Sequence, residues 1–191
     1  MKLLHYFLSI IFITSSTIVI AKPAQFYKPY KSKIDVENIQ PKKYELGNIN
    51  VTLSSKKEAI NFLTQEEIHA RYIQKLTEEL KNNNLLADEQ TIKPITLNFD
   101  IQQKRIFAGE DLEFISPKIV GKYAHSTLIY QSNLKYNNQE LAELNQSEVL
   151  SIGKKGSLSK IIRDLSGKGK PENELEDIDA FAHYMINQIP K

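Results

Sequence analysis

Eight residues, Ile95 to Gln102, constrain the fold more than any other stretch of this chain. Ile95, Leu97, Phe99 and Ile101 alternate with Thr96, Asn98, Asp100 and Gln102. Successive side chains of a strand point to opposite faces, so this segment has one apolar face and one polar face. Such a strand belongs to a sheet that is covered on one side and wet on the other, the habit of antiparallel sheets. Amphipathic helices must supply the cover.

Two such helices are legible. Thr64 with Glu67 makes a Thr-x-x-Glu capping box, and Leu63 with Ile68 occupies the two positions of a hydrophobic staple. Ile68, Tyr72, Leu76 and Leu80 then recur every four residues, with Ile73 widening the stripe, until Asn82-Asn83-Asn84 supplies a left-handed stop. The second helix opens at Pro171 and carries Glu172, Glu174, Glu176, Asp177 and Asp179 early, where the helix dipole favours acids. Its buried stripe is Ile178, Phe181, Ala182, Met185, Ile186 and Ile189. A shorter amphipathic helix is expected from Ser157 to Leu165.

Further strands are expected at Leu46 to Leu53, from near Ile119 to Tyr136, and from Glu140 to Ile152. Ala108 to Asp111 forms a turn, and Asn137-Asn138 forms a hairpin. The order of elements predicts an α+β fold: an antiparallel sheet of about four strands, a short first strand and a long three-strand meander, with helices on one face.

Ahead of this domain, Lys2 followed by the apolar run Leu3 to Ile20 and ending at Val19-Ile20-Ala21 reads as an export signal cleaved after Ala21. The rival reading is a retained anchor, since about 18 apolar residues can span a bilayer. The Ser/Thr-rich middle and the Ala-Lys-Pro exit favour cleavage and a periplasmic product with no stable membrane insertion. The expected organisation is a signal at 1–21, a Pro/Lys-rich tether at 22–45 and one domain at 46–191. The sequence has no cysteine, which excludes a disulfide scaffold, a zinc–thiolate site, a Cys nucleophile and a lipidated N-terminus.

Charge alternates in blocks along the chain. Residues 22–57 hold eight Lys against three acids, and residues 172–191 hold five acids against one Lys. A nucleic-acid binder shows one dominant sign, so none is expected as partner. Lys154 to Lys170 is the most basic run. Its Lys154, Lys155, Arg163, Lys168 and Lys170 are the candidate contacts for an anion or for weak binding to an anionic membrane surface, the alternative functional reading. Gly153-Lys154-Lys155-Gly156-Ser157 fails as a phosphate loop because no Lys stands between its last Gly and Ser.

His69, His125 and His183 never pair at i, i+3 or i+4, so no metal site is expected, and the helix histidines read as partly buried. Ser126 stands beside His125, but neighbours on a strand face opposite ways. Glu110-Asp111 is a turn pair of the solvated kind. No catalytic residue and no cofactor are expected, and the chain reads as a non-enzyme.

In element order the chain resembles small exported α/β domains of Gram-negative envelope accessory proteins, among them the lipopolysaccharide-assembly lipoprotein and penicillin-binding-protein activator lipoproteins. The resemblance runs through Asn48 to Leu53, Ile68 to Leu80, Ile95 to Ile101, Ala108-Gly109, Gly121 to Leu134 and Ile178 to Ile189. It is in keeping with the leading expectation, drawn from export, the wet-faced sheet, the Lys/Tyr-rich tether and the lack of a catalytic set, of a non-catalytic periplasmic accessory domain that binds another envelope protein or an assembly. It carries over no functional residue, and this chain departs from the group in lacking the lipidated Cys.

Overall fold

Ile95 to Phe107 forms the strand that the alternation predicts, and the rest of the domain is arranged around it. The computed structural model describes residues 31–32, 39, 42–56, 61–107, 123–150 and 169–191. In chain order these form β1 (Lys31–Ser32), β2 (Tyr44–Ser55), α1 (Gln65–Asn82), β3 (Ile95–Phe107), β4 (Tyr123–Tyr136), β5 (Gln139–Leu150) and α2 (Pro171–Gln188). The sheet order is β1-β5-β4-β3-β2, and the fold is α+β. The short first strand expected at Leu46 to Leu53 is the 12-residue β2, and the two-residue β1 comes from the stretch read as a tether, pairing Lys31 with Glu143 and Ser32 with Ala142.

The sheet is mixed, which corrects the fully antiparallel expectation. β3, β4 and β5 do form an antiparallel meander, but β2 runs parallel to β3, from Tyr44 beside Ile95 to Ser55 beside Arg105. The cause is α1. Its 18 residues span about 27 Å, so the chain returns to the starting end of the sheet before β3 begins. A hairpin reverses direction; a helical crossover restores it.

The local signals explain the elements. Glu67 N–H donates to Thr64 Oγ1 at 3.2 Å and Thr64 N–H to Glu67 Oε2 at 2.8 Å, closing the capping box. At the other end Asn84 takes φ 57°, Leu85 N–H reaches Leu80 O and Asn84 N–H reaches Lys81 O, a Schellman stop. Asn137 and Asn138 adopt φ 50° and 62°, the sign pattern of a type I′ hairpin. Thr64→Ala is expected to lower stability by about 1 kcal/mol, read as a shift in the urea midpoint, with Thr64→Ser close to wild type. A midpoint unmoved by the alanine would show that the box adds nothing.

Both helices lie on one sheet face. Ile68, Tyr72, Leu76 and Leu80 from α1 meet Phe181, Ala182, Met185 and Ile186 from α2 over Ile95, Leu97, Phe99, Ile101, Leu128, Tyr130 and Leu134. Ile73 does not widen the stripe as expected; it is 39 % exposed, one position off the inward row. Outside, Arg71 grips Asp179 with two bonds of 2.8 and 2.9 Å, and His183 Nδ1 meets Glu79 Oε2 at 2.8 Å. His183 is therefore an exposed inter-helix contact rather than the partly buried one expected; His69 is half-buried, with Nε2 2.9 Å from Ile49 O. Among the described residues no helix is long and apolar enough to cross a membrane.

The outer strand is bound into the domain at both ends. Tyr44 N–H donates to Leu85 O and Ala87 N–H to Tyr44 O, while Tyr44 Oη donates to Pro190 O at 2.6 Å. Further along, Leu53 N–H points at Gln65 Oε1 of α1, 3.4 Å away.

Candidate functional site

Polar side chains gather in two places, one buried at the far end of the sheet and one open on its wet face. The buried group continues the inward row of β3 past Ile101 into Gln103 and Arg105. Opposite them α2 turns two of its early acids, Glu174 and Asp177, inward, so these are core residues. Arg105 donates from Nε to Glu174 Oε1 at 2.6 Å, from Nη2 to Glu174 Oε2 at 2.8 Å, and from Nη2 to Leu63 O. Its guanidinium lies 5.4 Å from the Phe62 ring centre, within cation–π range.

The same network reaches two more elements, α1 and β4. Tyr72 Oη of α1 donates to Gln103 Oε1 at 2.7 Å, and Gln103 Nε2 donates to both Ser126 Oγ and Glu174 Oε1 at 3.2 Å. Asp177 Oδ2 accepts from Tyr123 Oη and, at 3.0 Å, from Ser126 N–H. Burial raises the Tyr72 and Tyr123 phenols well above their ordinary value, and the nearby carboxylates raise them further. Burial also raises Glu174, against the opposing pull of Arg105.

This arrangement fastens α2 to the sheet. Ser126 is fully buried, and its hydroxyl shares a hydrogen bond with Tyr123 Oη at 3.0 Å. His125 pairs across with Ile106, in the row facing away from Ser126. Among the described residues no group of three His, Asp or Glu side chains is placed to hold a metal ion.

The second gathering is a shallow depression of about 260 Å³ on the face away from the helices, and it is the candidate site. The register of β2, β3 and β4 lines up Asn50, Asp100 and Gln131 in one row across three strands. Beside it Asn48 N–H donates to Asn98 Oδ1 at 2.7 Å, and Asn98 Nδ2 donates to Asn133 Oδ1 at 2.8 Å. A β-bulge between Leu46 and Ile49 makes this crossing possible. A Cβ on Gly47 would fall 2.4 Å from Asn98 Oδ1 and 2.5 Å from Thr96 Cγ2, so only glycine leaves room for both side chains. Lys135 and Glu143 stand at the rim.

Of the basic positions singled out in the sequence, Lys154, Lys155, Arg163 and Lys168 lie outside the described residues, as do the Ser157 helix and Glu110-Asp111. Lys170 is exposed at the N-cap of α2, where its N–H donates to Asn173 Oδ1 at 2.9 Å. It does not line the depression. Fold and site together define a mixed-sheet α+β domain that, among the described residues, has two helices on one face and a carboxamide-lined hollow on the other. No family model matches the sequence, and no curated protein matches it significantly.

Proposed function

We propose that this chain is a non-catalytic accessory domain of the cell envelope, exported to the periplasm, that binds another envelope protein through the wet face of its sheet. The observation that carries the reading is the row Asn50, Asp100 and Gln131 beside Asn48, Asn98 and Asn133, a polar surface organised across three strands and turned away from the helices. Export rests on the Lys2 to Ala21 segment, and the accessory role is in keeping with the resemblance in element order.

A photo-crosslinking amino acid at position 50 or 131, compared with one at Lys81 on the far end of α1, tests the reading in envelope extracts. Adducts of one discrete mass from the sheet positions, and none from position 81, are expected. Equal labelling from all three, or an uncrosslinked protein throughout, would count against a binding face here. Asn50→Ala and Gln131→Ala should leave stability within about 0.5 kcal/mol of wild type, since both are exposed surface positions.

A further inference from the structure

The depression has a size and a chemistry that select its occupant. At about 260 Å³ it falls below the range of roughly 300–1,000 Å³ that takes a whole small molecule, and it suits a single long side chain. Asn50, Asp100 and Gln131 are exposed, and within the described residues none of the three makes a side-chain hydrogen bond or ion pair, so Asp100 presents a carboxylate flanked by two carboxamides. That trio offers acceptors to an ammonium or guanidinium group. Lys135, four residues along β4 from Gln131, stands about 13 Å away at the opposite end, so the Asp100 end is the one that attracts a cation.

The neighbouring amides are held in place. Asn98 spends both ends of its carboxamide on Asn48 N–H and Asn133 Oδ1, which fixes Asn98 and turns the Asn133 oxygen toward it. Carboxamides present one donor and one acceptor side, as peptide groups do, and therefore match a polypeptide backbone. A sugar would want a ring to stack on; Phe99, the sole aromatic in the lining, is 2 % exposed and packs against Tyr130 on the helix side. The bulge at Gly47 keeps Leu46 and Ile49 both on the core side and brings Asn48 N–H onto Asn98, and bulges of this kind also re-aim side chains at binding surfaces.

We propose that this depression seats one lysine or arginine side chain of a partner polypeptide, its charged head against Asp100 and its flanking peptide groups on the carboxamides of Asn50, Gln131 and Asn133. The inference rests on the reading of the wet face as a binding surface and names what that surface recognises.

The test titrates the isotope-labelled protein with acetyl-Gly-Lys-Gly-amide, with its norleucine counterpart and with a trisaccharide of N-acetylglucosamine, following the side-chain amide resonances of Asn50, Gln131 and Asn133. Saturable shifts with the lysine peptide are expected in the millimolar range, about −4 kcal/mol. They should weaken at least tenfold with norleucine, with Asp100→Asn and with added salt. Gly47→Ala, which pushes a methyl into Asn98 Oδ1, should weaken them too. Asp100→Asn touches no internal contact, so its thermal midpoint serves as the folding control. Equal binding of the norleucine peptide, shifts with the trisaccharide alone, or no shift at all overturns the inference. Crosslinking from positions 50 and 131 that survives Asp100→Asn would leave the binding face standing without a basic side chain as its target.

Discussion

Truncating Arg105 to alanine is expected to destabilise the domain by about 3–5 kcal/mol, because it strips the counter-ion from a carboxylate that water cannot reach. The Glu174 side chain has no exposure and that of Arg105 only 6 %. Replacing the pair with apolar side chains, as in Arg105→Met with Glu174→Leu, removes both charges and should recover most of the loss. Urea denaturation of the two variants beside wild type makes the comparison. A double variant no better than the single would place the cost in lost packing rather than in the stranded charge.

The same truncation should be strongly pH-dependent. Glu174 is already raised above the ordinary carboxylate range by burial, with Arg105 holding it down. A carboxyl with a raised folded pKa binds its proton more tightly in the folded state. Its contribution to stability is complete below the unfolded pKa and is lost as pH rises through the folded one. Without Arg105 the raise grows, so the deficit of the variant is largest at neutral pH and narrows as acid protonates Glu174. A deficit unchanged between neutral pH and about pH 4.5, near the ordinary glutamate value, would clear Glu174 of blame.

Gly169→Ala is the second large effect, about 1–3 kcal/mol and delivered through the backbone. A Cβ there would sit 1.7 Å from Tyr123 O and 2.6 Å from the carbonyl carbon, atoms of the first residue of β4 that cannot rotate aside. Gly169 also bridges to Tyr123 and stands two residues before α2. Moving it away shifts the start of α2, and with it Glu174 and Asp177. Gly47→Ala meets side-chain atoms alone and should be the milder change in a thermal melt. Equal melting temperatures for the two would show that the bridge yields freely.

Much of this architecture is legible in the residues. Thr64 with Glu67, the four-residue spacing from Ile68 to Leu80, the alternation from Ile95 to Ile101 and the Asn137-Asn138 turn each name an element whose hydrogen bonds follow local rules. The parallel pairing of β2 is not legible, because Asn48 to Leu53 alternates as an antiparallel edge strand would and only the helical crossover decides direction. Nor is the buried network. Gln103 and Arg105 keep the two-residue period of β3, and Glu174 and Asp177 keep the inward spacing of Ile178, Phe181 and Ala182, so geometry marks them as core. Hydropathy hides them, since each is tolerable there only with partners that lie 23 to 71 residues away in sequence. The candidate site is hidden for a related reason. Asn50, Asp100 and Gln131 each look like ordinary solvated strand residues until the register sets them side by side.

The bulge at Gly47 and Asn48 has a consequence for how copies of this protein behave in a crowd. A 12-residue outer strand is a ready template for another molecule's sheet, the usual start of edge-to-edge aggregation. Here Leu85 and Ala87 occupy both backbone groups of Tyr44, His69 meets Ile49 O and Gln65 faces Leu53 N–H, while the bulge breaks the register between them. An incoming strand finds no long uninterrupted row to copy. The irregularity that shapes the wet face also works against strand addition along this edge.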